Sequence, residues 1–205
     1  MSTLNELVKK LKECKICANT FPNIVNIEEK PCLEFDVYCD LSEGIRALFI
    51  GESPPARKVY FYDCSGRSSL RKCLFELLEI KDESRGLKYF KQNYLLTDAI
   101  KCRVSKKKRR TIPRKVIKNC AKLLKSEINL LNVRKIVVLG STALKALQYI
   151  GFKELKGYKV AKDCGKIVKS KDHSIFICVL PLPRNKRYLD KTIRKKLISF
   201  LGDEL

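Results

Sequence analysis

Short, continuously apolar segments alternate along the chain with segments of helical periodicity, and this order restricts the fold more than any other feature. The apolar segments lie at Ala47–Gly51 and at residues 93–102, 135–140 and 174–183, and helical patterns follow at residues 69–80, 113–131, 141–151 and 188–201. Strands that are apolar throughout are typical of a parallel sheet covered by helices on both faces. We therefore predict an α/β fold. No repeat or linker interrupts the pattern, so we predict one domain over residues 1–205.

Polar or small residues follow each predicted strand. They are Gly51 and Glu52, residues 98–103, Gly140 and Ser141, and residues 182–184. The carboxyl ends of parallel strands meet at one edge of a sheet, and open α/β folds bind their ligands at that edge. We therefore expect these residues to gather there and to form the functional site.

Basic residues outnumber acidic residues by a wide margin. Lys and Arg total 44 against 22 for Asp and Glu, which gives a formal net charge of +22. An excess of one sign repels itself unless a polyanion neutralises it, so nucleic acid is the predicted partner class. A lysine-rich thermophile surface is the alternative, but that composition normally includes abundant Glu as well. The densest basic run is "KKKRR" at residues 106–110, which is either a phosphate-binding loop or a solvated charge run.

The compartment is predicted from the absence of two patterns in the sequence. No apolar run approaches the ~20 residues that a membrane span requires. The first residues, "MSTLNELVKKLKEC", have the pattern of a charged amphipathic helix rather than of a secretory signal. We therefore expect a soluble, cytoplasmic protein that does not bind membranes and acts as a monomer. The Lys-rich, Trp-free composition with one Met is consistent with a thermophilic prokaryote.

The chain has ten cysteines and one histidine, His173. In an intracellular protein, this number of cysteines indicates a metal site, a cluster or core thiols rather than disulfides. Two sets of four are possible: Cys14, Cys17, Cys102 and Cys120 suit a [4Fe–4S] cluster, and Cys14, Cys17, Cys32 and Cys39 suit zinc. The remaining thiols are expected to be packing or incidental residues, namely Cys64, Cys73, Cys164 and Cys178.

Four motifs occur in a fixed order: "CKIC" at 14–17, "LFIGESPP" at 48–55, "LLTDAIKCR" at 95–103 and "NC" at 119–120. This combination resembles the iron–sulfur branch (family 4) of the uracil-DNA glycosylase superfamily. That branch has C-x-x-C, then a G-E-x-P-G strand exit, a T-N-x-x-K-C-R segment and a fourth cysteine. The resemblance covers most of the chain, although residues 20–44 form a longer segment than is usual in the family.

The resemblance implies a three-layer α/β/α sandwich with a central four-stranded parallel sheet. It also implies a structural [4Fe–4S] cluster held by Cys14, Cys17, Cys102 and Cys120. This cluster would fix the N-terminal helix to the basic loop that meets DNA phosphates. The phosphate contacts are expected from Lys106, Lys107, Lys108, Arg109, Arg110, Arg184, Lys186 and Arg187.

The function that the resemblance implies is base excision repair of DNA. The expected enzyme is a monofunctional glycosylase, a hydrolase that breaks the N-glycosidic bond of a damaged or deaminated base flipped out of double- or single-stranded DNA. Glu52 occupies the position of a catalytic Glu, where a carboxylate stabilises positive charge on the sugar and orients water. An acid at a helix N-terminus is the alternative interpretation of Glu52. Pro54 and Pro55 stiffen the loop, and Pro55 stands where the family usually has Gly.

The base-binding residues are expected on both sides of Glu52. Gly51 and Ser53 flank it, and Phe61 is the first candidate for the aromatic ring that stacks on the flipped base. Tyr60 and Tyr62 are its competitors, and at least one of the three rings is expected in the core. Stacking on an aromatic ring contributes ~1–3 kcal/mol per base.

Asp98 departs from the family pattern, which usually has Asn there. An ionised Asp accepts from uracil N3–H but repels O4, whereas a protonated Asp donates to a ring nitrogen and accepts from an amino group. We therefore expect Asp98 to take part in catalysis and to shift base specificity away from uracil. The alternative is a capping Asp that points away from the pocket.

Leu182 marks a second departure. The family usually has H-P-S after the last strand, whereas this strand ends "VLPLPRNKRY" with Leu182 at the His position. His173 lies at the far end of the strand, so backbone N–H groups, Arg184 or Asn185 would have to stabilise the leaving base. Leu182 itself is predicted either to wedge into the vacated stack or to pack locally.

Two further functions stay open at this point. The first is a non-catalytic iron–sulfur module that binds damaged or single-stranded DNA, which the missing His and Pro55 favour. The second is a zinc-containing nucleic-acid-binding protein, which would use the Cys14, Cys17, Cys32 and Cys39 set.

Overall fold

The computed structural model describes residues 3–38, 45–55, 59–105 and 111–202. The helices in these segments are α1 Leu4–Glu13, α2 Pro31–Glu34, α3 Ser69–Leu77, α4 Glu83–Asn93, α5 Arg114–Leu131, α6 Ser141–Ile150, α7 Val160–Asp163 and α8 Lys191–Leu201. The strands are β1 Val25–Asn26, β2 Ala47–Gly51, β3 Tyr94–Asp98, β4 Arg103–Val104, β5 Lys135–Leu139, β6 Ile167–Lys169 and β7 Ser174–Cys178. Short 3₁₀ helices lie at Lys153–Leu155 and Pro183–Tyr188.

The main sheet has five strands in the order β3-β2-β5-β7-β6. The first four are parallel and are the four strands that the apolar runs predict, so the α/β class is confirmed. The expected number of four strands is wrong, because β6 adds an antiparallel fifth strand beside β7. A three-residue edge strand with one buried side chain leaves no continuous apolar run in the sequence.

Helices pack against the parallel strands. α4 contacts β3, α6 contacts β5 and β2, and α7 contacts β7. Every residue of β2 and β3 is buried, and the rings of Phe49, Phe90 and Tyr94 pack within about 5.5 Å of one another. The buried residues form one hydrophobic core that extends from Leu7 to Leu201. Burial of this apolar surface is the main term that favours the fold.

Helix ends follow their local sequence in most places. Thr3 and Glu6 form a capping box at α1, and the Asp190 side chain caps α8. The helix predicted at 69–80 ends earlier, at Leu77, because Glu79 adopts a left-handed conformation with φ 61°. The sequence analysis missed α4, whose pattern Gly86 interrupts. An added Cβ at Gly86 would lie 2.3 Å from Ile80 Cγ2, so close packing requires the glycine.

A small antiparallel pair connects the N-terminal region to the loop after β3. β1 pairs with β4, with Val25 opposite Val104 and Asn26 opposite Arg103. This pairing holds the described part of the long segment before β2 against the sheet edge. Among the helices in the described ranges, none has the length and apolarity that crossing a bilayer requires.

Candidate active site

The ends of β2 and β3 bring Gly51 and Asp98 side by side. The two residues are register partners in the parallel pair. Two hydrogen bonds continue the contact beyond the strands, since Ala99 N–H donates to Gly51 O at 3.0 Å and Ile100 N–H donates to Glu52 O at 3.1 Å. The carboxylates of Glu52 and Asp98 therefore start from neighbouring positions at one edge of the sheet.

Glu52 is anchored from the first turn of α6. The Thr142 hydroxyl donates to Glu52 Oε2 at 2.6 Å. The sequence of Ser141 and Thr142 at the start of α6 predicts a Ser/Thr cap, and that prediction is wrong: the N-cap is Gly140, with φ 94° and no side-chain cap bond. A helix N-terminus attracts negative charge, so α6 both orients Glu52 and stabilises it. The alternative interpretation of Glu52, an acid at a helix N-terminus, therefore accounts for how the carboxylate is held: it is bonded to the first turn of α6.

An open cleft of about 650 Å³ begins at Glu52 and extends along the carboxyl ends of β5 and β7. Arg184 and Arg187, two of the predicted phosphate-binding residues, line it. Residues that the sequence analysis did not single out also line it, including Thr142, Lys145, Lys159 and Tyr188. The Arg187 guanidinium lies 4.8 Å from the centre of the Tyr188 ring. Basic and aromatic side chains together are suited to a polyanion with exposed bases.

Lys186 and Leu182 do not line the cleft. The Lys186 ammonium lies 3.5 Å from Glu76 in an exposed ion pair. Leu182 is half-buried and is the N-cap of the Pro183–Tyr188 helix, while Asn185 N–H donates to its carbonyl at 2.8 Å. This geometry favours local packing for Leu182, and it places Lys186 outside the basic lining.

Asp98 is 7% exposed. Burial raises its pKa to about 7, and the negative charges of Glu127 and Glu52 add to this effect, while the Lys101 ammonium opposes it. A carboxyl group with this pKa is partly protonated at neutral pH. The proton makes Asp98 a hydrogen-bond donor as well as an acceptor.

A buried polar network lies beside Asp98. The Lys101 ammonium forms an ion pair with Glu127 and a hydrogen bond with Thr97, and the Tyr38 hydroxyl donates to Glu127 at 2.8 Å. Glu127 and Lys101 are 0% and 2% exposed. The sequence analysis missed this network, because its members come from three distant segments. The one sequence feature that indicates this network is the lysine between Ile100 and Cys102, just after a strand.

The three consecutive aromatic residues after β2 separate into two environments. The Phe61 ring packs at 5.0 Å from Phe90 and 6.0 Å from Phe75, inside the core. Burial and then the charge of Asp98 raise the pKa of Tyr60 well above its usual value, so the Tyr60 hydroxyl lies near Asp98. The placement argues against Phe61 as the stacking ring, and the same holds for Tyr60, which is 3% exposed and packs 5.5 Å from Phe35.

The loop that carries Glu52 is held from the opposite side by Arg103. The Arg103 guanidinium donates to the Pro55 carbonyl and pairs with Glu29. Ser53 and Pro54 lie within this loop, and Ser53 is half-buried. The backbone around Glu52 is therefore fixed by both Arg103 and α6.

Cys14, Cys17, Cys102 and Cys120 lie in one neighbourhood. Burial raises the pKa of Cys102 to about 12, and the charges of Cys120, Cys14 and Cys17 add to this effect. Burial likewise raises the pKa of Cys120 to about 11, and the charges of Cys17 and Cys14 add to it. Asn119 Nδ2 donates to Cys17 Sγ at 3.5 Å, and the Lys101 N–H donates to Cys120. Hydrogen bonds to sulfur are typical of thiolates that bind iron.

The described ranges contain no group of three or more His, Cys, Asp or Glu side chains arranged to hold a single metal ion. Burial raises the pKa of Cys32 to about 12, and the charges that act on it most strongly are those of Lys101, Glu127 and Asp98. The one histidine, His173, packs against Phe152 and lines a different cavity before β7. It provides no imidazole to the cleft.

Some predicted residues lie outside the described part of the chain. These are Cys39 and the five residues of the basic run, Lys106, Lys107, Lys108, Arg109 and Arg110. The segment that follows the basic run does line the cleft, through Thr111 and Ile112.

The comparison with known protein families gives one match. The family model described as "Uracil DNA glycosylase superfamily" matches residues 39–201 of the 205-residue chain. No curated protein matches the chain. The matched range contains β2, β3, β5 and β7, and it contains Glu52 with its cleft. It also contains Asp98, which is buried beside Gly51 and is not part of the cleft lining. It begins after Cys14 and Cys17.

Proposed function

This chain belongs to the uracil DNA glycosylase superfamily, and on that premise we propose that it is a monofunctional DNA glycosylase. It hydrolyses the N-glycosidic bond of a damaged or deaminated base that is flipped out of the DNA stack. We propose that its residues form a single domain, which the shared core from Leu7 to Leu201 supports. The superfamily acts on DNA, and the net charge of +22 fits a polyanionic substrate.

The proposal depends above all on one observation: the fixed carboxylate of Glu52 lines a cleft that arginines also line. A second carboxyl group, that of the buried Asp98, lies at the end of the neighbouring strand. Hydrolysis of a glycosidic bond develops positive charge on the sugar. A preorganised carboxylate stabilises that charge without reorganising, and it also orients the attacking water. The hydrogen bond from Thr142 holds Glu52 in place for this role.

The base specificity is proposed to depend on Asp98. Because its pKa is about 7, Asp98 is protonated in a substantial fraction of molecules at neutral pH. In that form it donates to a ring nitrogen and accepts from an exocyclic amino group, which matches a cytosine-type edge better than uracil. Tyr60, whose hydroxyl lies near Asp98 and whose ring packs against Phe35 and Tyr62, is proposed to support Asp98 from inside the core.

The leaving base would be stabilised without an imidazole. Arg184 lies in the cleft lining and provides donors for an anionic base. Asn185 is less suited, because its side-chain amide donates to the Leu180 carbonyl at 2.7 Å. Lys145 and Lys159 also reach the cleft, so trapping of a covalent intermediate with borohydride tests the absence of lyase activity.

We propose that Cys14, Cys17, Cys102 and Cys120 hold a [4Fe–4S] cluster, as in the iron–sulfur branch of the superfamily. Each cysteine of such a cluster binds a different iron, so the four sulfur atoms do not have to converge on one point. The proximity of Cys14 and Cys17 to both Cys102 and Cys120, whose pKa values their charges raise, and the hydrogen bonds to Cys17 and Cys120 support the proposed cluster. The cluster would supply structural cross-linking between α1, α5 and the loop after β3.

A second candidate function is a binding module that recognises damaged or single-stranded DNA without turnover. The observation that favours it is the position of His173, which lines a cavity other than the cleft. Pro55 adds to this, because a proline offers no N–H to a ligand.

A panel of oligonucleotides tests the two candidates. Each carries one lesion, such as uracil, a deaminated purine or a cytosine derivative, and alkali converts any abasic site into a strand break. We expect the wild type to release at least one base and Glu52→Gln to be about 10²- to 10⁴-fold slower. The matched control is Glu154→Gln, an exposed carboxylate outside the cleft. Binding without release by the wild type supports the binding module instead.

A further inference from the structure

Cys164 and Cys178 face each other at the edge of the main sheet. In the antiparallel pair of β6 and β7, Ile167 is opposite Phe176. Beyond β6, Gly165 N–H donates to the Ile177 carbonyl at 2.8 Å, and Ile177 N–H donates to the Lys166 carbonyl at 3.0 Å. Gly165 and Lys166 thus both oppose Ile177, and this two-to-one pairing is a β-bulge.

The bulge sets the position of the two cysteines. Because residues 165 and 166 both oppose Ile177, the next residue outward, Cys164, lies opposite Cys178. Gly165 accommodates the bulge with φ 83°. Directly opposed residues in antiparallel strands have Cα atoms about 4.5 to 5.5 Å apart, which is within the range that a disulfide spans. The two thiols are in hydrogen-bond contact.

The two sulfur atoms differ in reactivity. The hydrogen bond from Cys178 lowers the pKa of Cys164 to about 7, against the effect of burial, and the Val179 N–H adds to the lowering. The same contact and deep burial raise the pKa of Cys178. Cys164 is half-buried whereas Cys178 is 0% exposed. An accessible thiolate beside a buried thiol is the arrangement of an attacking and a resolving cysteine.

We propose that Cys164 and Cys178 are a redox-active pair that a hydroperoxide converts into a disulfide. The Cys164 thiolate attacks the terminal peroxide oxygen, the O–O bond breaks, and the leaving alkoxide or hydroxide takes up a proton. Cys164 is then a sulfenic acid. Cys178 loses its proton and attacks the Cys164 sulfur, the S–O bond breaks, and water leaves with that proton. Two thiols and one hydroperoxide give a disulfide, an alcohol or water, and a second water.

The pair lies directly beside the cleft. The Cys164 sulfur lies 3.6 Å from the Tyr188 carbonyl oxygen, to which it donates in its thiol form, and Tyr188 ends the 3₁₀ helix that carries Arg184 and Arg187. Residues 179 and 180, which follow Cys178, also line the cleft. A disulfide removes the contact with Tyr188 and fixes the end of β7. We therefore expect oxidation to change DNA affinity, a consequence that rests on the proposed function.

Peptide mass spectrometry tests the pair without reference to DNA. The purified full-length protein is treated with hydrogen peroxide, free thiols are blocked with N-ethylmaleimide, and the iron content is followed in the same samples. We expect Cys164 and Cys178 no longer to react with N-ethylmaleimide. Their two peptides should appear linked, with a mass two hydrogens below the sum of the reduced peptides, and dithiothreitol should reverse the link. The exposed Cys64 is the internal comparison. The proposal would be overturned if N-ethylmaleimide still reacted with both Cys164 and Cys178 at peroxide concentrations that already oxidise Cys64.

Variants separate the two roles. In Cys178→Ser, the sulfenic acid at Cys164 has no resolving thiol, so dimedone should label Cys164; in Cys164→Ser, Cys178 should stay reduced. No dimedone adduct in Cys178→Ser contradicts the assignment. Fluorescence anisotropy with a DNA duplex then compares oxidised and reduced wild type, with Cys164→Ser as control. Equal affinities overturn the coupling to the cleft, whereas failure of either form to bind DNA overturns the proposed function and leaves the mass-spectrometric test intact.

Discussion

Gly51 and Asp98 are partners across β2 and β3, and a Cβ added at Gly51 would lie 2.6 Å from Asp98 Oδ1. The missing side chain at residue 51 is therefore what allows the Asp98 carboxyl group to lie beside the strand exit. The two residues form one unit in the site, since a side chain at residue 51 cannot be added without moving the Asp98 carboxyl group.

Gly51→Ala is expected to displace the Asp98 carboxyl group. Overpacking at a buried position costs roughly 1–3 kcal/mol of unfolding free energy, and we expect base excision to fall along with it. Denaturant unfolding and excision rates measure the two effects. In the double variant Gly51→Ala/Asp98→Ala the steric conflict is absent, so its stability loss should be smaller than the sum of the single losses. Additive losses would contradict the contact.

The Asp98 carboxyl group should give stability a specific pH dependence. Burial raises its pKa from 3.8 to about 7 in the folded state, so between these values the folded protein binds a proton that the unfolded chain has released. The contribution of Asp98 to the free energy of unfolding is therefore fully present below about pH 4, and it is lost as the pH rises to 7. Asp98→Asn should gain stability relative to wild type across that interval. Unfolding midpoints that run parallel from pH 4 to 7 would rule this out.

The two neighbouring basic residues of the 3₁₀ helix are expected to differ in their contribution to DNA binding. Arg187 lines the cleft, whereas Lys186 lies near Glu76 outside it. Arg187→Ala should weaken binding and reduce the slope of log affinity against log salt by about one, as loss of a phosphate contact does. Lys186→Ala should change the slope less. Titrations at several salt concentrations measure both, and a larger effect at Lys186 would show that phosphates pass elsewhere.

The cysteine variants should distinguish iron–sulfur from zinc. We expect the purified protein to be brown, with absorbance at roughly 400 nm from an iron–sulfur cluster. Cys102→Ser and Cys120→Ser should lose iron, whereas Cys32→Ser should retain it, because Cys32 lies beside Lys101 and Glu127 instead. Metal analysis and absorbance provide the measurement. A colourless protein whose zinc content falls in Cys32→Ser would support the zinc alternative.

The strands and their shared edge could be predicted because their signals are local. Residues 47–51 and 135–139 are apolar without interruption, and this pattern depends on nothing outside the segment. β6 has one buried residue of three, and it is a strand only because β7 lies beside it. Its formation depends on tertiary pairing, which a single short segment does not encode.

The site could be predicted in part, for a related reason. Glu52 and Asp98 follow strands directly, so the topology alone brings them together. The assignment of Phe61 over Tyr60 was not decidable from sequence, because all three consecutive aromatics are buried and only their contacts separate them. The role of Thr142 was also hidden, since a hydroxyl in the first turn of a helix usually caps that helix. Here it reaches across to another strand exit.

Tyr38 gives the segment before β2 a part in holding the sheet edge together. Its hydroxyl is bonded to Glu127, which is fully enclosed and paired with Lys101. If residues 31–38 detached from the core, the buried Glu127 carboxylate would lose a hydrogen-bond donor that bulk water could not replace. Leaving a buried polar group without its partner raises the free energy of the open state. Local opening of this segment is therefore rarer than that of a loop without buried polar contacts, and a protease should cleave it more slowly than such a loop.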